Sequence, residues 1–236
     1  MRRFRSAVRL ELLLQIRQRF LHAAVFSGLI WLAVLLPMPA GLRPVAEPYV
    51  LLGDTSIIGF FFVAGTVFFE KQERTLGAVI STPLRFHEYL SAKLAVLLGV
   101  SLFVAVTVTA CVHGATHLSV VLVVGVVLAT LLMLLVGFTS SLPFASVSDW
   151  FLAATVPLAV MCLPILLYSG IWPNPVLYLI PTHGPLLLFG AAFDQVDLAP
   201  WQLGYAIGYP VLCIAGLVLA ARVLFDRCIV SKSGGG

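Results

Sequence analysis

Seven of the chain's 24 charged residues lie in one segment of 24 residues, from Glu70 to Lys93. The segment places Glu73 before an apolar stretch, and acids at the N-terminal end of a helix are stabilised by the helix dipole. Thr82 precedes Pro83, and a residue before proline avoids the α-helical region. We therefore predict a short helix over Glu73–Ser81, which would present a docking surface. The alternative is a solvated connector, and the residues alone favour that alternative.

The rest of the sequence offers little for catalysis. No G-x-x-x-x-G-K-[ST] motif occurs, so we expect no P-loop for ATP on this chain. His113 and His117 have the spacing of two metal ligands on one helix face, but Gly114 between them favours a turn, and no third ligand is near. Ser27-Gly28 and Ser169-Gly170 lack the G-x-S-G context of a membrane serine protease. We predict no catalytic residue, no cofactor site and no metal site, and hence a protein that is not an enzyme.

The composition is that of a membrane protein. Hydrophobic residues make up 61% of the 236 residues and charged residues only 10%, with a mean hydropathy of +1.07. A soluble domain has about 25% charged residues, which excludes a water-soluble globule. A net charge of +4 forms no strongly basic surface, so no nucleic-acid partner is expected.

Continuous apolar runs, rather than alternating segments of about 10 residues, predict membrane-spanning helices and not a β-barrel. Charged residues mark the breaks between runs. The polar stretch from His113 to His117 divides the longest run in two. The predicted fold is an all-α integral membrane protein with six transmembrane helices, at His22–Leu36, Tyr49–Phe69, Leu94–Val112, Leu118–Gly137, Trp150–Tyr168 and Leu198–Ala221.

The basic residues predict the orientation of these spans. With six spans, 13 of the 14 lysines and arginines fall on one side, and only Arg43 falls on the other. Cytoplasmic loops carry the excess of basic residues, so both termini are expected in the cytoplasm.

The residues before the first span predict a helix that lies along the membrane surface. Phe4, Val8, Leu12, Ile16 and Phe20 recur every four residues, which is the spacing of one helix face. Residues 1–20 are therefore interpreted as a cytoplasmic interfacial helix whose arginines contact lipid headgroups. The alternative is a basic orientation signal with no structural role. Residues 21–225 form the transmembrane domain, and residues 226–236 a cytoplasmic tail.

The segment 70–93 resembles the first cytoplasmic loop of ABC-2 type permeases, the membrane subunits of ATP-binding-cassette exporters. Arg74 and Gly77 depart from the usual pattern of that loop. A second stretch, residues 169–197, is similar to the outer re-entrant hairpin that precedes the last span in this family. The matching positions in the loop are Glu70, Glu73, Thr75, Leu76, Val79, Ile80, Thr82, Pro83, Glu88 and Lys93.

The resemblance implies an exporter subunit in a bacterial plasma membrane. A separate ATPase chain would bind ATP and magnesium, and a second six-span permease would complete a homo- or heterodimer. Small amphipathic drugs or antibiotics are the expected cargo, and the fluoroquinolone exporters are the most similar type. The implied coupling helix docks on the ATPase through loop 70–93. Its residues would be Glu73, Arg74, Thr75, Leu76, Val79, Ile80, Thr82 and Pro83.

The family also places its subunit interface on the second and fifth spans. That implies a substrate path along Phe60, Phe61, Phe68, Thr155 and Met161, where aromatic faces suit flat apolar cargo. Lipid contact or helix packing is the alternative for each phenylalanine.

Two other functions remain open. A secondary carrier usually has ionisable groups at mid-membrane. None is expected here, because Asp54 is predicted to lie within about a turn of the outer boundary. A membrane scaffold or sensor subunit that transports nothing is the other alternative.

Overall fold

The computed structural model describes residues 2–73, 86–114 and 118–230, and each of its regular elements in those ranges is helical. The helices are α1 (Arg2–Arg17), α2 (Phe20–Leu35), α3 (Arg43–Gln72), α4 (Phe86–His113), α5 (Val120–Ser141), α6 (Val147–Tyr168), α7 (His183–Ala192) and α8 (Pro200–Cys228). A 3-10 helix, Pro175–Leu179, precedes α7, and a π-helical turn, Asp226–Val230, overlaps the end of α8.

Within the described residues, five helices are long and apolar enough to cross a bilayer: α3, α4, α5, α6 and α8. The pair Val8–Arg17 and Phe20–Leu35, bent by 68°, makes a sixth span if it is counted as one. The bend lies at Arg19, whose φ of 63° is in the left-handed region and ends the first helix. A multi-pass helical membrane fold is confirmed.

Helix α3 begins six residues before the predicted second span and continues to Gln72. Pro44 stands in its first turn, where a missing N–H costs no hydrogen bond. The Arg43 side chain donates to the carbonyls of Leu36 and Met38, at 2.7 and 3.0 Å, and so closes the connection from α2. The position of Asp54 within about a turn of the outer membrane boundary stays a prediction. Asp54 is the twelfth residue of a 30-residue helix, and only 2% of it is exposed.

The segment between α3 and α4 is also shorter than residues 70–93. Glu70 belongs to α3, and α4 has already begun at Phe86, so that Lys93 is its eighth residue. The helix predicted over Glu73–Ser81 lies outside the described residues apart from Glu73, which directly follows α3.

Helix α5 is the centre of the bundle and packs against α3, α4, α6, α7 and α8. Small residues permit its closest contact. A Cβ atom on Gly137 would lie 2.4 Å from the carbonyl oxygen of Phe60 in α3. The middle of α3 is π-helical over Ile57–Phe62, so the close contact falls on its irregular segment.

Helix α1 packs on α4 through a polar face. Among residues 8–17, whose side chains the structure describes, Glu11 and Gln15 are buried, whereas Leu12 and Ile16 of the predicted apolar row are exposed. The polar edge faces the protein and the leucines face outward, an arrangement that suits apolar surroundings.

The stretch 169–197 contains the short helix α7, which is buried among α3, α5 and α8. Ten helical residues span about 15 Å, half of the hydrocarbon thickness of a bilayer. Helix α7 is therefore too short to cross.

Replacement of Gly137 by alanine is expected to destabilise the protein by about 1–3 kcal/mol, because the added methyl group meets the backbone of Phe60. Gly99→Ala is the matched control, since nothing lies within 4 Å of its Cβ position. Thermal unfolding of the purified protein in detergent measures the difference. Equal melting temperatures for the two variants would contradict the packing described here.

Candidate functional site

A completely buried lysine lies close to the loop that joins α3 and α4. The Lys93 ammonium is 2.7 Å from Glu70 Oε1, 3.2 Å from Glu11 Oε1 and 3.1 Å from Thr66 Oγ1. An ammonium has three donors, and all three are used. Because a buried charge costs several kcal/mol unless it is paired, these three partners are required for the burial of Lys93.

Tyr89 and Gln15 complete the surroundings of the Lys93 ammonium and its two carboxylates. The Tyr89 hydroxyl donates to the second oxygen of Glu70, and the Lys93 ammonium lies 5.4 Å from the centre of the Tyr89 ring. Gln15 donates to Glu11 at 3.0 Å. We call Glu11, Thr66, Glu70, Tyr89 and Lys93 the loop-stem network, because its members on α3 and α4 flank the loop.

The local sequence explains why these side chains meet. Each of the three helices contributes two polar residues four positions apart, which places them on one helix face. The pairs are Glu11 and Gln15 on α1, Thr66 and Glu70 on α3, and Tyr89 and Lys93 on α4.

The next residue along α3 points to a different part of the bundle. The Lys71 ammonium donates to the carbonyls of Ser141, Leu142 and Phe144, at 2.9, 2.9 and 2.7 Å. The last carbonyls of a helix lack partners within the helix and carry partial negative charge. A lysine at this position donates hydrogen bonds to them and neutralises the charge. Glu70 and Lys71 thus connect the end of α3 to α4 and α1 on one side and to the α5–α6 connection on the other.

The comparisons with known proteins agree with a transport protein. The model of the fluoroquinolones export permease protein family matches residues 2–233. Two relatives named fluoroquinolones export permease protein, from Mycobacterium tuberculosis strains CDC 1551 and H37Rv, are each 72% identical over 235 residues, or 99% of both chains. The chain belongs to the fluoroquinolones export permease protein family. The expected resemblance to drug-exporter permeases is confirmed, and the chain is a multi-pass membrane protein of a family that is named for export.

Most of the predicted docking residues of this family member lie outside the described residues. Glu73 is exposed directly after α3. The residues that the structure leaves undescribed are Arg74, Thr75, Leu76, Val79, Ile80, Thr82 and Pro83.

The structure brings four of the five predicted substrate-path residues to one cluster. Phe60 and Phe68 are buried, and their rings lie 5.5 and 5.6 Å from Trp150. Phe61 contacts the same indole edge-on at 6.0 Å, and Met161 packs against the cluster. Thr155 lies apart, exposed on α6, where its hydroxyl donates to the carbonyl of Leu152.

Sequence reasoning missed the polar contacts inside the bundle. Lys93 and Glu70 were noted only for their family resemblance, and Glu11 was not singled out. A signal was present, because Glu11 is the sole acid in an otherwise basic and apolar helix. The partners of two further acids were also missed. Glu47 lies 2.8 Å from His113, and Asp54 accepts hydrogen bonds from Ser27 and Trp31.

Lys93→Met is expected to destabilise the protein by about 3–5 kcal/mol, because Glu11 and Glu70 would remain buried without a cation. The control Arg222→Met removes a positive charge from an exposed position of α8. Adding Glu11→Gln and Glu70→Gln to Lys93→Met should recover part of the loss, because the unpaired charges disappear. Thermal unfolding in detergent compares the variants, and a Lys93→Met protein as stable as Arg222→Met would rule out the network as a stabilising contact.

Proposed function

We propose that the chain is the six-span permease subunit of an ATP-driven exporter in the plasma membrane. Both termini lie in the cytoplasm, and segment 70–93 docks on a separate ATPase chain that binds ATP and magnesium. The loop-stem network is the observation that carries this proposal. It fixes both helices that lead into the loop, so a displacement of the loop would move α1, α3 and α4 together.

The proposed cargo is a small, flat, amphipathic drug of the fluoroquinolone class. The names of the two relatives supply the class, and the aromatic cluster supplies a chemical reason. Phe60, Phe61, Phe68 and Trp150 together offer apolar ring faces and edges. Such surfaces favour planar aromatic ligands.

A second six-span permease is the proposed partner within the membrane. Helices α6 and α8 are covered by the chain along only a small part of their length. Phe151, Leu152 and Val156 on α6 are all more than half exposed. Lipid and a second copy or paralogue together would cover these faces, and the resemblance favours α3 and α6 for the contact between subunits.

A secondary carrier is the second candidate function. Asp54 and Glu47 are buried within α3, and ionisable residues in such positions are typical of ion-coupled transport. The sequence argument against this candidate, that no ionisable residue lies at mid-membrane, stays a prediction, and the burial of Asp54 and Glu47 is the observation that favours the candidate.

The docking proposal predicts that a P-loop ATPase co-purifies with the tagged protein from its native membrane. Val79→Asp should abolish this co-purification, because it places a charge at the centre of the proposed apolar contact. Val176→Asp is the matched control, at an exposed valine of the 3-10 helix before α7, far along the chain from the loop. Mass spectrometry identifies the captured chain. Equal recovery of the ATPase with both variants would contradict docking through the loop.

Transport in inside-out membrane vesicles separates the two candidate functions. We expect fluoroquinolone uptake that requires ATP hydrolysis and persists when the proton gradient is dissipated. Uptake driven by the gradient alone, without ATP, would instead establish the secondary carrier.

A further inference from the structure

Asp54 is a buried acid of α3, and the surroundings of its two carboxylate oxygens differ. Oδ1 accepts hydrogen bonds from Ser27 Oγ at 2.8 Å and from Trp31 Nε1 at 3.1 Å, both on α2. Oδ2 is buried and has no hydrogen-bond partner among the described residues. One oxygen is thus doubly stabilised as an anion, whereas the other is left without a donor.

No positive group of the described residues pairs with this carboxylate. Helix α5 has no charged residue, α2 has only His22 near its far end, and the titratable side chains of α7 and α6 are His183, Asp149, Cys162 and Tyr168. On α4, Lys93 is paired with Glu70 and Glu11, and His113 with Glu47. On α3 itself, the nearest charged groups are Glu47, two turns away, and then Arg43. A carboxylate in apolar surroundings without a cation is costly and is expected to take one up.

The surroundings limit which cation that is. Trp31 packs on Gly53, the neighbour of Asp54, and the apolar side chains of Val50, Ile58 and Val104 form the cluster around them. Oδ2 is shielded from solvent and has no hydrogen-bond partner among the described residues, whereas a metal ion requires several ligands and an ammonium requires several hydrogen-bond acceptors. A proton requires neither space nor additional ligands.

Polar residues connect this position to the end of the bundle where α4 terminates. His113, the last residue of α4, lies 2.8 Å from Glu47. Thr109, one turn earlier on α4, is completely buried, and its hydroxyl has no partner among the described residues. Glu47 and Asp54 are seven residues apart and therefore lie on the same face of α3. Thr109 and His113 are four residues apart and share a face of α4. We call these four residues the polar stripe.

We infer that Asp54 is a proton-binding site of the permease, reached through the stripe of Glu47, His113 and Thr109. The carboxylate takes up one proton and becomes a neutral carboxylic acid, with no other bond changed. Ser27 and Trp31 then donate to a neutral oxygen, so the contact between α2 and α3 weakens. The side from which the proton comes depends on the orientation proposed above, and in that orientation it is the outer side.

The test follows the carboxyl group itself and requires neither the ATPase nor transport. Infrared difference spectra of the purified protein in lipid nanodiscs are recorded as the pH falls from about 9 to about 4. We expect a carbonyl band of a protonated acid that the Asp54→Asn protein lacks. Asp149→Asn, at an exposed aspartate that interacts with Ser146, should retain the band. Coincident spectra for the wild-type protein and Asp54→Asn would overturn the proposal.

The Trp31→Phe variant tests the proposal even if the Asp54→Asn protein does not fold. It removes one of the two donors to Oδ1 and leaves the carboxyl group in place. The same band should appear at higher pH, because the anion has lost a hydrogen bond. An unchanged midpoint would show that the titrating acid is not Asp54. A failure of ATP-driven transport would leave both spectroscopic results unaffected, so the two proposals fail separately.

Discussion

The burial of the Lys93 ammonium is the constraint on which one end of the bundle depends. A fully buried cation needs nearby anions, and the two that it has come from different helices, Glu70 on α3 and Glu11 on α1. Three helices must therefore meet at one point and in one rotation. For α1 this requirement turns Glu11 toward the protein, while Leu12 stays exposed on the outer surface of the helix.

Three polar residues along α3 each contact a different neighbouring helix. Asp54 binds α2, Glu70 binds α4, and Lys71 binds the end of α5. Between the first two of these residues the helix is π-helical over Ile57–Phe62, where it also makes its closest contact with α5. A π-helical segment changes the rotation of the residues that follow it. The two halves of α3 can therefore face their own partners, although a regular helix would fix one rotation for both.

Hydropathy was sufficient to predict the membrane fold, and it failed where charge enters the bundle. Because charged residues mark the breaks between the predicted spans, the prediction places Lys93 at the end of a loop and Asp54 near the start of a span. Both are buried within helices, and their polar partners are distant in sequence. Pairings of that kind leave no local pattern. The aromatic cluster was more accessible to prediction, because Phe60, Phe61 and Phe68 are near one another along α3 and only Trp150 comes from elsewhere.

The loop-stem network contributes more to the choice of which helix faces pack together than to the stability of the fold. Replacing a whole buried ion pair with apolar residues is often neutral or stabilising, so stability alone does not explain its presence. In a bilayer, however, apolar faces associate with little preference, because lipid is as apolar as leucine. Directional contacts are then what determine which faces meet. Glu70 and Lys71, adjacent at the end of α3, impose such contacts on α1, α4 and the α5–α6 connection together. A force applied to the loop between α3 and α4 would reach all of these elements through hydrogen bonds, which permit less sliding than apolar packing.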